Sequence, residues 1–487
     1  VKLLKDLLYD VRIEEVLGTT HIAVENISTD SRSCKSMGLF VAIKGTQVDG
    51  HDYIAQALAN GATTIVYETL PEGAKNVEAT TFVKVKNSSE ALGHIASAYY
   101  DNPSDELKII AVTGTNGKTT IVSLLHKLFR IMDRKAGMVG TVENKIVDKV
   151  KPSTHTTPDA ISMQQLFREM ADEGCKFCFI EASSHAIDQN RLAGTKLTGA
   201  VFTNITHDHL DYHISFDNYL VAKKKLFDKL PVNAFALLNA DDEHFGDIGR
   251  DCRAEKVTFG LNAFSDEKAR IIENQLQGLQ LHINGQELYS RLVGLFNASN
   301  LLAVYCATTK LGFDPLETLT SMSLLTPPAG RFELVESASG ITGIVDYAHT
   351  PDALENVLKT IAAIRTGDEK VITVVGCGGD RDKSKRPVMA RVAAANSDQV
   401  FLTSDNPRSE DPNDIIADMK AGLDPIHKRT CLAITDRIEA IRTAAAFANE
   451  GDIILVAGKG HETYQEINRV KHDFDDRLVL REALESL

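Results

Sequence analysis

The sequence predicts an α/β protein of three domains, and three observations carry that expectation. The chain has 487 residues, which at roughly 100–200 residues per domain suggests about three of them. Strand-like apolar runs alternate with helical patterns for most of its length, the order of largely parallel sheets covered by helices. Two turn-rich clusters, Asp101-Asn102-Pro103-Ser104-Asp105 and Thr326-Pro327-Pro328-Ala329-Gly330, interrupt the alternation. They divide the chain into expected domains 1–103, 104–328 and 329–487.

Composition narrows the function classes. Hydrophobic residues make up 43% and charged residues 25%, an ordinary globular balance. The formal charge of −14 argues against a nucleic-acid partner, which calls for a basic face. No run approaches the ~20 apolar residues of a membrane span, so no membrane insertion is expected. Val1–Asp6 is broken by charge and lacks a signal-peptide pattern, which makes the cytoplasm the expected location. Seven cysteines in so long a chain do not form a disulfide framework. Cys175 and Cys178 form a CxxC just before Phe179-Ile180 and read as part of a buried strand.

The first block offers two polar turn clusters, Thr29-Asp30-Ser31-Arg32 and Gly45-Thr46-Gln47-Val48-Asp49-Gly50, which by themselves specify only turns. The second opens on a buried strand, Leu107–Val112, followed by Gly114-Thr115-Asn116-Gly117-Lys118-Thr119-Thr120. Ile121, Leu124, Leu125 and Leu128 then recur at helical spacing. Strand, glycine-rich loop with Gly-Lys-Thr, then helix is the arrangement that cradles phosphate: glycines let backbone N–H groups close on the oxygens, and the helix N-terminus adds partial positive charge. Lys118 is expected on the β- and γ-phosphates and the Thr119 hydroxyl on Mg²⁺. The loop is two residues shorter than the usual phosphate loop, with Val112 where its first Gly would stand.

Farther on, Glu181 ends an expected strand, Lys176–Ile180, and emerges at a sheet's carboxyl edge, where open α/β sheets bind ligands. His207, His209 and His213 lie among Asp208 and Asp211, which favour a hard cation over zinc. Lys223-Lys224-Lys225 reads as a solvated run on a helix. The last block has strands expected at Lys370–Val375, Gln399–Thr403 and Asp452–Ala457. Thr350-Pro351 marks a helix start, with Thr as N-cap and Pro at the first position. Strand-then-helix repetition predicts a second, Rossmann-like doubly wound domain there. Arg381–Arg386 follows a glycine-rich turn at a strand end and reads as an anion site.

The shortened loop resembles that of the Mur ligases and of the related folylpolyglutamate synthetases. Further segments match in family order: Glu181–His185, Asn204–His213, Ala222-Lys223, Gly294–Asn300, Gly330–Glu333, Asp346–Pro351, Gly378–Lys383, Asp405–Arg408 and Gly458–Glu462. They span essentially the whole chain, and the last four resemble the MurE type, which adds the third residue of the peptidoglycan stem peptide.

The resemblance implies an ATP-dependent, ADP-forming amide ligase. Lys118, Lys223 and His209 would be catalytic. Gly114, Thr115, Asn116, Gly117, Lys118, Thr119, Thr120, Asn297, Arg331 and Asp346 would bind ATP. Thr119, Glu181, His209 and a Lys223 carbamylated by CO₂ would hold Mg²⁺. Thr29, Ser31, Thr46, Gln47 and Val48 would hold the uridine diphosphate. His155, Thr156, Thr157, Ser183, Gln189 and Arg191 would hold the muramyl dipeptide, with His155 departing from the family's Asn. Arg381, Asp405, Asn406, Pro407, Arg408, Gly458 and Glu462 would receive the incoming amino acid. Arg408 at the end of Asp-Asn-Pro-Arg implies meso-diaminopimelate, with a surface pair to Glu410 or Asp411 as the bland alternative. A monomer is expected. A folylpolyglutamate synthetase-like ligase or a nucleotide-gated binding module without ligase activity are the rival readings.

Overall fold

The apolar runs become the middle strands of the two larger sheets, because a strand covered on both faces buries nearly all of its side chains. Gly199–Phe202, Phe235–Asn239, Val371–Val375 and Ile453–Ala457 are buried at every residue. The protein is seen in a computed structural model that describes residues 1–45, 48–70, 79–153, 155–208, 210–335 and 337–487. Among these the strands form three large sheets and two two-stranded ribbons in a mixed α/β architecture, as the sequence predicts.

The first sheet orders its five strands 13–17, 81–85, 62–67, 38–41 and 26–28, all parallel except the first. The second has eleven strands. Its parallel centre places Lys108–Thr113 between Phe177–Glu181 and Gly199–Phe202. Antiparallel ribbons extend both ends, 143–152 on one side and 267–290 on the other. The third sheet orders 333–335, 342–346, 453–457, 371–375, 399–402 and 431–433, parallel from its second strand onward. Predicted strand ends shift by a residue or so: Leu107–Val112 becomes Lys108–Thr113, and Lys176–Ile180 becomes Phe177–Glu181.

Helix Lys118–Ile131 buries Ile121, Leu124, Leu125 and Leu128 against the central sheet, with Phe129 added to the predicted stripe. Lys127 on this helix donates to Thr326 O and Pro327 O, each at 3.1 Å, fixing the chain's exit from the central segment. Helix Pro351–Ile364 starts as predicted: the Thr350 hydroxyl accepts from Ala353 N, with Pro at the first turn. Cys178 lies in strand 177–181 with Cys175 just before it, and all seven cysteines are buried free thiols.

Lys223, Lys224 and Lys225 do lie on one helix, Phe216–Asp228. The solvated reading needs correction at Lys224, whose side chain is 17% exposed, while Lys225 stays 43% exposed. Lys224 is clamped by Asp228 and Asp251, and Lys225 pairs with Asp188. No helix of the described residues is long and apolar enough to cross a membrane.

Candidate active site

In both larger sheets a later strand inserts beside an earlier one, so strand order reverses and the carboxyl ends open a crevice. The motif residues sit at those ends, and the two crevices face each other across one cavity of about 950 Å³.

Gly114 and Gly117 shape the phosphate loop. Both have positive φ, +154° and +89°, and a Cβ on Gly114 would come within 1.8 Å of the Thr203 hydroxyl. The N–H groups of Thr115 and Asn116 are held by Asn204 O and Oδ1, each at 2.8 Å. Lys118 Nζ donates to the carbonyls of Gly114 and Thr115, both at 2.8 Å. Lys223 Nζ reaches the same Gly114 carbonyl at 2.8 Å. Burial lowers the Lys118 pKa and pushes that of Lys223 well below its ordinary value, the nearby Lys118 charge adding to the second effect.

Glu181 closes strand 177–181 with its carboxylate buried at the crevice. It accepts from Thr119 Oγ1 at 2.9 Å, Thr141 N at 2.8 Å and Thr141 Oγ1 at 2.9 Å. A buried carboxylate met by neutral donors, beside a hydroxyl at a helix N-terminus, is a hard-oxygen set that suits Mg²⁺. His209 lies outside the described residues. His207 lines the cavity, and His213 is buried with Nε2 2.9 Å from Ser184 Oγ.

Beyond Glu181, Thr156, Ser183 and Ser184 line the cavity, while Thr157 is buried and donates to Glu181 O at 2.7 Å. Arg191 donates to Thr157 O and to Gln189 Oε1, each at 2.7 Å. These acceptors are neutral and leave its positive charge uncancelled. His155 is exposed and off the cavity wall. In the first sheet, Ser31 Oγ donates to Gln56 Oε1 at 2.8 Å, while Thr29 and Val48 are exposed. None of these three lines the cavity, and Thr46 and Gln47 lie outside the described residues.

The opposite wall belongs to the third sheet. Asp346 ends strand 342–346 and accepts from Phe332 N and Ala348 N, each at 2.7 Å, while burial raises its pKa. Arg331 lies 4.6 Å from the Tyr347 ring, which also stacks against His349 at 4.7 Å and His461 at 4.9 Å. Burial lowers His349 to about 4 and His461 to about 3, so both rings are neutral near pH 7. Asn297 and Thr120 stand apart from the wall; Asn297 donates to Val293 O at 2.8 Å and accepts from Asn300.

Asp405, Asn406 and Arg408 follow strand 399–402, and Gly458 and Glu462 follow strand 453–457; all five line the cavity, as does Arg381. Pro407 is buried beneath them. Arg408 Nη1 donates to Gly379 O at 2.7 Å, and its Nε lies 3.6 Å from Glu466. Glu410 pairs instead with Arg386, 2.8 Å away, which holds its carboxyl down at about 2. Asp411 caps helix 412–420. The surface alternative for Arg408 is therefore not what the structure has. The anion-site reading of 381–386 is corrected at Arg386, which is fully buried between Glu410 and Asp418, and at Lys383, which pairs with Glu410.

Three features went unread in the sequence. Thr141 contributes two of the donors on Glu181, from a Gly-Thr turn that carries no motif. Asn116 Nδ2 donates to Asp352 Oδ2 at 2.7 Å, joining the phosphate loop to helix 351–364. Lys459, within the Gly458–Glu462 segment, is buried behind Asp405, Asn406 and Glu462.

Comparison with known proteins agrees with this arrangement along the whole chain. Residues 23–100 match the Mur ligase family catalytic domain, 112–308 the Mur ligase middle domain and 330–460 the Mur ligase glutamate ligase domain. A UDP-N-acetylmuramoyl-L-alanyl-D-glutamate–2,6-diaminopimelate ligase of Cytophaga hutchinsonii is 51% identical over 99% of each chain. The ligase of the same name from Bacteroides thetaiotaomicron is 50% identical over 99% of each. A solved structure of an enzyme of that name superposes with a TM-score of 0.70 at 34% identity, covering 99% of this chain and 98% of its own. The fold is shared with a MurF ligase of Thermotoga maritima solved with ADP, at 18% identity and TM-score 0.60, covering 95% and 97%. A glycine-rich loop, a buried carboxylate beside it and a facing wall of charged and polar residues, in a chain matched by family models and relatives over its full length, place the chain in the Mur ligase family.

Proposed function

We propose that the protein is an ATP-dependent, ADP-forming ligase that adds meso-diaminopimelate to the D-glutamate γ-carboxylate of UDP-N-acetylmuramoyl-L-alanyl-D-glutamate, in peptidoglycan precursor synthesis. The observation that carries the reading is the single cavity with the phosphate loop on one wall and Asp405, Arg408 and Glu462 on the other. It is supported by the names of relatives about half identical over their full length.

A carboxylate is a poor electrophile, so amide formation requires activation. Transfer of the ATP γ-phosphoryl group gives an acyl phosphate; the amine attacks, and phosphate leaves from the tetrahedral intermediate. Lys118 and the N-terminus of helix 118–131 stabilise the charge on the transferred group. His209, which the resemblance adds as a ligand, lies outside the described residues; Thr119 and Glu181 would hold one Mg²⁺ and the carboxylate of a carbamylated Lys223 a second. Bound there, Mg²⁺ neutralises phosphate charge. Carbamylation is supported by the surroundings of Lys223: a buried amine with a depressed pKa is the nucleophilic, unprotonated form that CO₂ needs. Arg191 suits an anionic group of the muramyl dipeptide, and Thr29, Ser31, Thr46, Gln47 and Val48 suit the uridine diphosphate. The segments 1–103, 104–328 and 329–487 then serve nucleotide-sugar, ATP and amino acid respectively. A cytoplasmic monomer without nucleic-acid or membrane partners fits these substrates.

The test supplies ATP, Mg²⁺, the muramyl dipeptide and one diamino acid at a time, then weighs the product by mass spectrometry. Phosphate release that requires both carboxylate and amine, with a product heavier by one diaminopimelate residue, is the expected result. Release that needs no amine, or glutamylation of a folate offered with glutamate in place of the muramyl dipeptide and diamino acid, would favour the rivals.

A further inference from the structure

Lys459 is fully buried just beyond strand 453–457, yet its ammonium is not spent on a distant structural contact. Nζ donates to Asn406 Oδ1 at 2.9 Å and Glu462 Oε2 at 3.0 Å, and stands 3.8 Å from Asp405 Oδ1. The rings of Tyr464 and Phe474 close around it at 5.6 and 5.9 Å. The Asn406 amide is thereby fixed: Oδ1 also accepts from Glu466 N at 2.9 Å, and Nδ2 donates to Glu462 Oε2 at 2.8 Å. One Glu462 oxygen thus takes two donors from behind, while the residue as a whole lines the cavity.

We propose that Lys459 is a positioning residue for the incoming amino acid, setting the orientation of Asn406 and Glu462 and the net charge of the wall that receives the substrate's far end. The proposal rests on the diaminopimelate reading above. Asp405 and Glu462 with one ammonium buried behind them present a single net negative charge, and Arg408 on the same wall, its Nε 3.6 Å from Glu466, offers a guanidinium. A substrate end bearing both ammonium and carboxylate meets a matched pair. Without Lys459 the wall is doubly negative and favours a bare ammonium, the end that lysine carries. Burial and the Asp405 charge both push the Glu462 carboxyl up, while Lys459 and Asn406 oppose them.

The test compares Lys459→Met, Glu462→Gln and the double variant in the full-length enzyme, reading KM for diaminopimelate, ATP and the muramyl dipeptide, and selectivity over lysine. Each single change should raise KM for diaminopimelate by about 30-fold or more, the scale of unpairing a buried charge. KM for ATP and the muramyl dipeptide should stay within about twofold, since uniform binding of those substrates is untouched. The double variant restores the single net negative charge, so its selectivity for diaminopimelate should exceed that of Glu462→Gln alone. An unchanged KM in Lys459→Met, or a double variant no more selective than Glu462→Gln, would overturn the proposal. Should Lys459→Met not fold, the double variant, which leaves one carboxylate, Asp405, rather than two without the ammonium, carries the comparison. If it too fails to fold, Lys459 belongs to the core and the proposal falls. Wild-type enzyme that does not use diaminopimelate would instead refute the functional reading beneath it.

Discussion

Lys118, Lys223 and Arg408 each make contacts that turn a motif into a measurable expectation. Lys118→Ala removes the charge facing the transferred phosphoryl group, and kcat should fall by roughly 10²–10³-fold or more with the thermal melt unchanged; near-normal turnover would refute the assignment. Lys223→Ala should be nearly inactive and partly restored by high formate or acetate, which supply the missing carboxylate. A fully active enzyme whose Lys223 is shown by mass spectrometry to be a free amine would end the carbamate idea. Arg408 can offer a carboxylate two parallel charge-assisted hydrogen bonds. Arg408→Ala should therefore cut kcat/KM for diaminopimelate by about 10²-fold while barely changing residual use of lysine. Competition between the two amino acids at equal concentration measures this, and unchanged selectivity would show that another residue reads the side chain. Lys118 stood out because its chemistry travels with a short local pattern, whereas Lys223 and Arg408 were marked only by the family resemblance. Lys459 and Thr141 were not legible, since their meaning depends on carboxylates brought to them by other strands.

Helix 118–131 shows how an element carries a titratable group into the core. Its His126 is buried with Nε2 donating to Val147 O at 2.9 Å, and burial lowers its pKa to about 4 from 6.5. The unfolded chain therefore binds a proton at a pH where the folded one does not. Stability from this group is complete above about pH 6.5 and is lost as pH falls toward 4, by roughly 3 kcal/mol in all. In His126→Gln the Tm should be lower at pH 7, and the gap from wild type should narrow steadily down to pH 4.5. A gap that stays constant across that range would show that the ring does not titrate with folding. At this scale the sequence was most informative. Buried parallel strands and the apolar stripe of helix 118–131 follow from periodicity alone. The antiparallel extension 267–290 does not, because nothing local says that a ribbon will continue the edge of a parallel sheet.

The molecule as a whole works through the junction of its second and third sheets. Asp352 accepts from Asn116 at 2.7 Å and from Thr206 at 3.4 Å, and burial raises its pKa. This contact ties the phosphate loop to helix 351–364 on the opposite wall. In Asp352→Ala the walls close less firmly, water reaches the acyl phosphate, and phosphate release should exceed amide formation. Assaying both products in one reaction measures the ratio; a strict one-to-one ratio would show that closure does not depend on this link. The same hydrogen bond spans 236 residues of chain. At synthesis rates of about 5–20 residues per second, its two halves leave the ribosome roughly 10–50 s apart. The loop itself completes only partway through that interval, once Asn204 has followed to hold the N–H groups of Thr115 and Asn116; the opposing wall comes later still, so the ability to join two substrates is the last competence the chain acquires on the ribosome.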